Sequence, residues 1–188
     1  HPDLLRREYQ EGHLIGNHSY SHPNIATIGE DATALQLSAT QRFIEYATGR
    51  STTLFRPPYN ADSEPQTPAE ITPILRAQKM HYITIGERID PQDWRKGVTA
   101  ADIVDEVMNE AQSGHLILLH DAGGDRTPTL EALPQVIDRL RASGYRFVAL
   151  NELMGKSRDE LMPLPSADEQ RWAAIEGQAR FMPAKSAR

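Results

Sequence analysis

The 188-residue sequence contains no cysteine, has fewer basic than acidic side chains and lacks any long apolar run. Without cysteine the chain can form neither a disulfide nor a thiolate metal site, so a bound metal would have to use His, Asp or Glu. A net charge of −6 argues against a nucleic-acid binder, which would usually show a basic face. No apolar stretch approaches the ~20 residues that a membrane-spanning helix needs.

The remaining composition is typical of one globular domain. The apolar share of 39% and the charged share of 24% are ordinary for such a domain, and the chain is long enough to bury a core. It opens at His1, with neither an initiator Met nor a signal-like segment. We therefore expect it to be part of a longer protein.

Helical and strand-like patterns alternate along most of the chain. We predict helices at 3–11, 29–49, 67–80, 99–114 and 129–144. We predict strands at 13–17, 52–55, 81–86, 115–121 and 145–150. This alternation predicts an α/β fold with a parallel sheet and outer helices, as either an open layer or a barrel.

Several details of these elements are expected from the local sequence. Helix 29–49 should bury an apolar face and end at Gly49, and helix 67–80 should be interrupted at Pro73. Thr99 should cap the next helix, which should end at Gly114. The apolar face comprises Leu35, Leu37, Phe43, Ile44 and Ala47.

Two further segments are predicted from their composition. Segment 115–121 contains the apolar run "LILL" and should be a strand buried on both faces. After Glu152 the pattern ends, so residues 156–188 are predicted to be a tail or linker with one short helix around Trp172.

The position of each reactive side chain relative to the predicted strands distinguishes candidate site residues from structural ones. In parallel α/β folds the working face lies at the carboxyl ends of the strands. His13, His81 and His115 begin strands and are better explained as structural. The residues that follow strands are His18, His22, Arg56, Tyr59, Asp90, Asp93, Trp94 and His120.

His18 and His22 lie four residues apart, a spacing that places two imidazoles on one side of a helical turn, where they could share a metal ion. The alternative is a pair of ordinary polar loop residues. A two-histidine zinc site normally adds a carboxylate ligand. Asp90, Asp93 and Asp121 are possible donors, and the spacing singles out none of them.

The other candidates also allow two interpretations. Arg56 lies in the stiff loop "RPPYN" and could clamp a carboxylate, or the loop could be an ordinary exposed turn. In the segment "DPQDW", the two acids and the indole could belong to a functional site. Alternatively, the Trp could simply cover one end of a barrel. His120 leaves an apolar strand and could transfer protons near neutral pH, or be hydrogen-bonded within the fold.

Four motifs in the same order resemble those of the polysaccharide deacetylases of carbohydrate esterase family four. They are "NHSYSHP" at 17–23, "RPPY" at 56–59, "DPQDW" at 90–94 and "LLHD" at 118–121. The resemblance covers about residues 1–155, which are predicted to form the C-terminal portion of such a domain.

The resemblance implies a fold, an activity and a site. The fold is a distorted (β/α)7 barrel with parallel strands, and the activity is metal-dependent N-deacetylation of N-acetylated amino-sugar polymers. His18 and His22 would bind a divalent metal, most often Zn²⁺, and the backbone N–H of Tyr59 would help to hold the oxyanion. His120 would protonate the leaving amine. Arg56 would orient the catalytic base, Asp93 would orient and tune His120, and Trp94 and Leu118 would line the acetyl pocket.

One motif of this family is absent from the sequence. It is a Thr-Phe-Asp-Asp-Gly-Pro type stretch on the first strand, which carries the catalytic base and the third metal ligand. We expect it, with about two strands, upstream of His1, so that the barrel in this chain is incomplete and the chain alone close to inactive.

The wider context is also implied by resemblance. "NELMGKSRDELMPLP" is similar to the segment that follows this domain in bacterial membrane proteins that fuse a deacetylase to a glycosyltransferase, and the family acts outside the cytoplasm. The alternatives are an amidohydrolase for small non-sugar amides and a non-catalytic glycan-binding remnant.

Overall fold

A computed structural model describes residues 1–60, 67–112 and 116–167. The described residues of His1–Ala61, Pro65–Thr84 and Ala149–Arg188 form one compact unit, and those of Ile85–Val148 form a second. Gly114, His115 and the helix expected around Trp172 lie outside the described residues. No helix within the described residues is long and apolar enough to cross a membrane.

The first unit contains a short parallel sheet. Strand β1 (Leu54–Phe55) pairs with strand β2 (Ile83–Thr84), with Leu54 opposite Ile83. Segment 13–17 contributes a single parallel bridge, from Asn17 to Phe55, instead of the predicted strand. Parallel pairing of strands that alternate with helices along the chain confirms the α/β class. Closure of a barrel stays a prediction.

Helices α1 (Pro2–Gln10) and α2 (Glu30–Thr48) both precede this sheet in the sequence. As predicted, α2 ends at Gly49, whose φ of 72° favours glycine. The predicted apolar face of α2 is only partly correct, because Leu35 is 70% exposed and Phe43 41% exposed, whereas Leu37 is fully buried. At 3.6 residues per turn, Leu35 points about 200° away from Leu37 and faces the opposite side of the helix.

Helix α3 (Pro68–Lys79) starts at a capping box, in which the side chains of Thr67 and Glu70 each accept a hydrogen bond from the other residue's backbone N–H. The predicted interruption at Pro73 is wrong, because the helix continues through that residue. The carbonyl of Ala69 loses its usual donor there, and the buried proline ring offsets part of that loss.

The segment from Ala149 onward is part of the first unit. It forms α6 (Leu150–Leu153) and α7 (Arg158–Leu161), and both Leu161 and Met162 are fully buried. The N–H of Ser51 donates to the carbonyl of Pro163 at 2.9 Å. Residues 158–163 are therefore not a linker, although the domain boundary at residue 155 stays a prediction.

The second unit is built around α4 (Ala100–Glu110) and α5 (Thr127–Ala142). The capping box of Thr99 with Asp102 forms at the start of α4 as predicted. Apolar residues of both helices make one cluster with Ile89, which pairs with Ile117 in a parallel bridge.

Two strands predicted in the second half of the chain are not formed. Residues 116–120 make only the bridge at Ile117 and are half-buried, so they are not a strand covered on both faces. Residues 145–149 are exposed and carry no strand pairing. Both segments have strand-like composition, but a strand also needs a partner along its whole length. The N–H of Leu118 donates to the carbonyl of Ile89 and that of Ile89 to the carbonyl of Leu116, yet this pairing does not extend into a continuous ladder.

Candidate active-site residues

Asn17 anchors the loop that carries the two histidines. Its backbone N–H donates to the carbonyl of Leu54 at 2.8 Å, and its own carbonyl accepts from the N–H of Arg56 at 2.9 Å. Its buried side-chain amide donates to the carbonyl of Leu37 at 2.8 Å and to the hydroxyl of Tyr82 at 3.0 Å. The amide oxygen accepts from the N–H of Ser19 at 3.0 Å. His18 therefore follows a residue whose backbone and side chain are both held by hydrogen bonds.

The rings of His18 and His22 lie together, with centroids 4.9 Å apart in an edge-to-face arrangement. The predicted helical turn is not what brings them together, since Ser19 and His22 have φ values of 64° and 57°. The left-handed residues fold the chain back on itself, and the hydroxyl of Ser19 accepts from the N–H of His22 at 3.1 Å.

His18 is held in one tautomer. Its Nδ1 lies 2.8 Å from the carbonyl oxygen of Arg56, and because a carbonyl can only accept, Nδ1 carries the hydrogen. The lone pair of His18 is therefore on Nε2. Metal-bound histidines usually show this arrangement, in which the second ring nitrogen donates to a carbonyl or carboxylate.

This donor set fits a divalent metal that prefers imidazole. Two exposed imidazoles lie close together, and one of them already has the hydrogen bond that orients a ligand. Among residues 1–60, 67–112 and 116–167, no group of three or more His, Cys, Asp or Glu side chains is placed to hold a metal ion. The described residues thus show two adjacent imidazoles of the kind that such a metal prefers.

Tyr59 contacts this pair. It lies in the short 3₁₀ turn Pro58–Asn60 with φ 64° and ψ 31°, a conformation that is uncommon for a residue with a side chain. Its ring centroid is 5.0 Å from that of His22. The structure therefore brings together His18, His22 and Tyr59, with the carbonyl of Arg56 behind His18.

Asp93 and His120 form a close pair in the second unit. The Nδ1–H of His120 donates to Asp93 Oδ1 at 2.7 Å, and the backbone N–H of His120 donates to Oδ2 at 2.9 Å. The carboxylate is fully buried, while the side chain of His120 is 36% exposed. The ring is thereby oriented with Nε2 directed away from Asp93, and it is held by a fixed negative charge.

The pKa of Asp93 reflects two opposing effects. Burial by itself raises the pKa of this carboxyl group, because the charged form loses hydration. The two hydrogen bonds from His120 and one from the hydroxyl of Thr129 outweigh burial and hold the pKa below its ordinary value of 3.8. Asp93 is therefore ionised at neutral pH, with both oxygens engaged by His120 and Thr129.

Two supporting residues of this pair were not predicted from the sequence. Thr129 is buried at the start of α5 and donates to Asp93 Oδ2 at 2.8 Å. Arg126 donates from Nη1 to the backbone carbonyl of Asp93 at 2.8 Å. Neither lies in a motif that indicates chemistry, and both are more than 30 residues from Asp93 in the sequence.

The remaining candidates have less distinctive surroundings. Trp94 is 53% exposed, and Leu118 is half-buried. Asp90 accepts from the N–H of Gln92 at 2.8 Å, which fixes the turn that leads to Asp93. An exposed indole next to the buried Asp93 is available to a ligand, but its predicted pocket role stays a prediction.

The family profile and the relatives that match this chain indicate the same protein family. The polysaccharide deacetylase family profile matches residues 1–69. A peptidoglycan-N-acetylglucosamine deacetylase of Bacillus cereus is 33% identical over 159 residues, which are 84% of this chain and 55% of that protein. The chain therefore spans about half the length of this curated relative.

Two solved structures have the same fold. The structure of a peptidoglycan N-acetylglucosamine deacetylase in complex with an N-hydroxybenzamide matches with a TM-score of 0.72 and 31% identity, over 84% of this chain and 70% of that chain. A family 4 acetyl xylan esterase from Clostridium thermocellum in complex with cobalt matches with a TM-score of 0.68 and 30% identity, over 84% of this chain and 73% of that chain.

Proposed function

The chain belongs to the polysaccharide deacetylase family, whose members are hydrolases, and from this premise we propose that it takes part in metal-dependent N-deacetylation of N-acetylated amino-sugar polymers. The reaction hydrolyses the acetamide C–N bond, so that water supplies the oxygen of the released acetate and the sugar keeps a free amine. The substrate class is that of the peptidoglycan deacetylase relatives, with chitin-type and exopolysaccharide polymers as further candidates.

In this proposal His18 and His22 bind a divalent metal, most often Zn²⁺. When bound, such a metal acts as a Lewis acid that activates water and polarises the acetyl carbonyl. Support comes from the edge-to-face imidazole pair and from the cobalt complex of the family 4 esterase. The third ligand and the catalytic base would come from the absent aspartate motif, outside residues 1–188.

His120 is proposed to protonate the leaving amine. Its hydrogen bond to the ionised Asp93 orients the ring and points Nε2 away from the carboxylate. As the C–N bond breaks, the proton on Nε2 passes to the amine nitrogen. Asp93 stays ionised, and its proposed role is to orient and tune His120.

Four more residues receive proposed roles in binding. The backbone N–H of Tyr59 would donate to the oxyanion, a contribution that often dominates hydrolytic catalysis. Arg56 would orient the catalytic base, and Trp94 with Leu118 would line the acetyl pocket. The left-handed conformation of Tyr59 supports its role, since such backbone strain is common at functional sites.

The setting of the whole protein is part of the same proposal. With its first strands restored, the fold would be a distorted (β/α)7 barrel that acts outside the cytoplasm, as cell-wall substrates require. The domain would end near residue 155 or shortly after it. A fusion to a membrane glycosyltransferase is proposed from residues 151–165 alone.

The observation that carries the proposal is the hydrogen bond from His18 Nδ1 to the carbonyl of Arg56. It links two of the family's motifs and sets the tautomer of His18, whose ring lies 4.9 Å from that of His22 between centroids. The test is acetate release from chitin oligomers and peptidoglycan by the protein extended upstream of His1, with chelator and then with Zn²⁺ restored. We expect metal-dependent release, and activity that survives complete metal removal would contradict the proposal.

O-deacetylation is a second candidate function. It is favoured by the similarity to an acetyl xylan esterase, which is about as strong as that to the peptidoglycan deacetylase structure. The same protein should be assayed on acetylated xylan and on a panel of small amides. Preference for the ester would support this candidate, preference for a small amide would support an amidohydrolase, and glycan binding without turnover would indicate a non-catalytic remnant.

A further inference from the structure

We propose that Gln36 of helix α2 is a positioning residue that holds the loop between His18 and His22 in its metal-binding shape. Residues 18–22 are called the histidine loop below. This inference rests on the proposed metal site and concerns a residue outside all four motifs.

The side chain of Gln36 reaches the middle of the histidine loop with three hydrogen bonds. Its Oε1 accepts from the N–H of Tyr20 at 3.0 Å and from the N–H of Ser21 at 2.8 Å. Its Nε2 donates to the hydroxyl of Ser21 at 2.9 Å. One amide group therefore fixes both residues at the tip of the loop.

The next residue of the same helix holds the base of the loop. The carbonyl of Leu37 accepts from the side chain of Asn17, directly before His18. Gln36 and Leu37 together attach the loop to α2 at two points. Since Leu37 is fully buried in the core, α2 is a rigid support for both attachments.

The loop needs such support because it is exposed and bent. His18, Tyr20, Ser21 and His22 are exposed, and two residues of the loop have positive φ. Exposed peptide groups at the tip could exchange their contacts for water at little cost, which would let the two rings separate. A loop that must be ordered on binding loses affinity by the cost of ordering it. Gln36 reduces that cost by holding the two rings 4.9 Å apart before the metal binds.

The position is suitable for mutation because Gln36 is only half-buried on α2. Gln36→Met keeps length and helix propensity and removes all three hydrogen bonds. Gln36→Glu keeps an oxygen that can accept from both N–H groups. Gln135→Met is the matched control, since Gln135 also lies on a helix and its side-chain amide donates to the carbonyl of Glu131 within α5.

The first measurement is amide hydrogen exchange of Tyr20 and Ser21 in residues 1–188 without metal. We expect Gln36→Met to speed exchange at both amides, whereas Gln36→Glu and Gln135→Met should match the parent. Unchanged exchange in Gln36→Met would overturn the proposal, because the hydrogen bonds would not be holding the loop.

The second measurement is titration with Zn²⁺ alone, followed by the ring signals of His18 and His22. Removal of a group that orients a ligand typically costs 10–100-fold in metal affinity, so Gln36→Met should need at least about tenfold more Zn²⁺. The control should titrate like the parent and Gln36→Glu at least as tightly. Parent-like affinity in Gln36→Met, or equal weakening in the control, would overturn the inference. A parent whose ring signals ignore Zn²⁺ would instead overturn the metal site itself.

Discussion

The buried carboxylate of Asp93 accepts two hydrogen bonds from one residue, His120, through its ring Nδ1–H and its backbone N–H. This arrangement fixes both the position of the backbone and the rotation of the ring. The hydroxyl of Thr129 donates a second hydrogen bond to Oδ2, so both carboxylate oxygens of Asp93 are engaged.

Asp93 should make stability depend on pH in acid. The folded pKa of Asp93 lies below its ordinary value of 3.8, whereas the unfolded chain regains that value. The carboxylate therefore stabilises the fold above the ordinary pKa, and this stabilisation is lost as pH falls through the folded pKa. We expect Asp93→Asn to lower the melting temperature most at about pH 6 and progressively less towards about pH 2.

Comparing the parent with the variant at each pH cancels the contributions that the other acidic groups make to the pH dependence of stability. Asp102, Asp125 and Glu160 also have lowered pKa values, from hydrogen bonds to neighbouring Thr and Ser residues, but they titrate equally in both proteins. A melting-temperature difference that is constant across this pH range would show that the charge of Asp93 is not what stabilises the pair.

His120→Ala should lose turnover while metal binding persists. Removal of a general acid typically lowers kcat ~10²–10⁴-fold, and the ligands His18 and His22 are untouched. The measurement is steady-state kinetics on an N-acetylated oligosaccharide, with the protein extended upstream of His1, together with its metal content. A kcat within a few-fold of the parent would exclude the leaving-group role.

His18→Ala and His22→Ala should each weaken Zn²⁺ binding sharply, because either change leaves one imidazole of the pair. The control is His13→Ala, since His13 is exposed and was predicted to be structural. Zn²⁺ affinity measured by competition with a chromophoric chelator should separate the variants. Affinity that is equal in His18→Ala and His13→Ala would remove His18 from the site.

The helices could be predicted closely because their determinants are local. Gly49 ends α2, and Thr99 with Asp102 starts α4, and each of these features depends on residues only a few positions apart. The strands could not be predicted equally well. Segments 115–121 and 145–150 have the composition of strands, but strand formation requires partners that lie far away in sequence.

In the candidate site, too, local features could be predicted from the sequence, whereas contacts between distant residues could not. The spacing of His18 and His22 indicated a pair, yet the pair forms through left-handed residues that the spacing does not reveal. Asp93 and His120 are 27 residues apart, and only the family resemblance connected them. Thr129 could not be found at all, because its partner is set by tertiary packing.

The last prediction concerns the end of the described chain. Leu161 was assigned to a tail by its charged and Pro-containing surroundings, yet it is fully buried, and its carbonyl accepts from the N–H of Thr53 at 2.9 Å. Removing a buried leucine side chain typically costs 2–5 kcal/mol, because transfer and cavity terms add. We therefore expect Leu161→Ala to lower the free energy of unfolding by ~2–5 kcal/mol.

Leu164→Ala is the matched control, three residues further along. Leu164 is 65% exposed, so its truncation should change the free energy of unfolding by less than ~0.5 kcal/mol. The measurement is urea unfolding of residues 1–188, and the comparison holds whatever the absolute stability of the chain. Equal effects of the two substitutions would mean that residues 158–163 do not belong to the cooperative fold, and the predicted boundary near residue 155 would then be favoured.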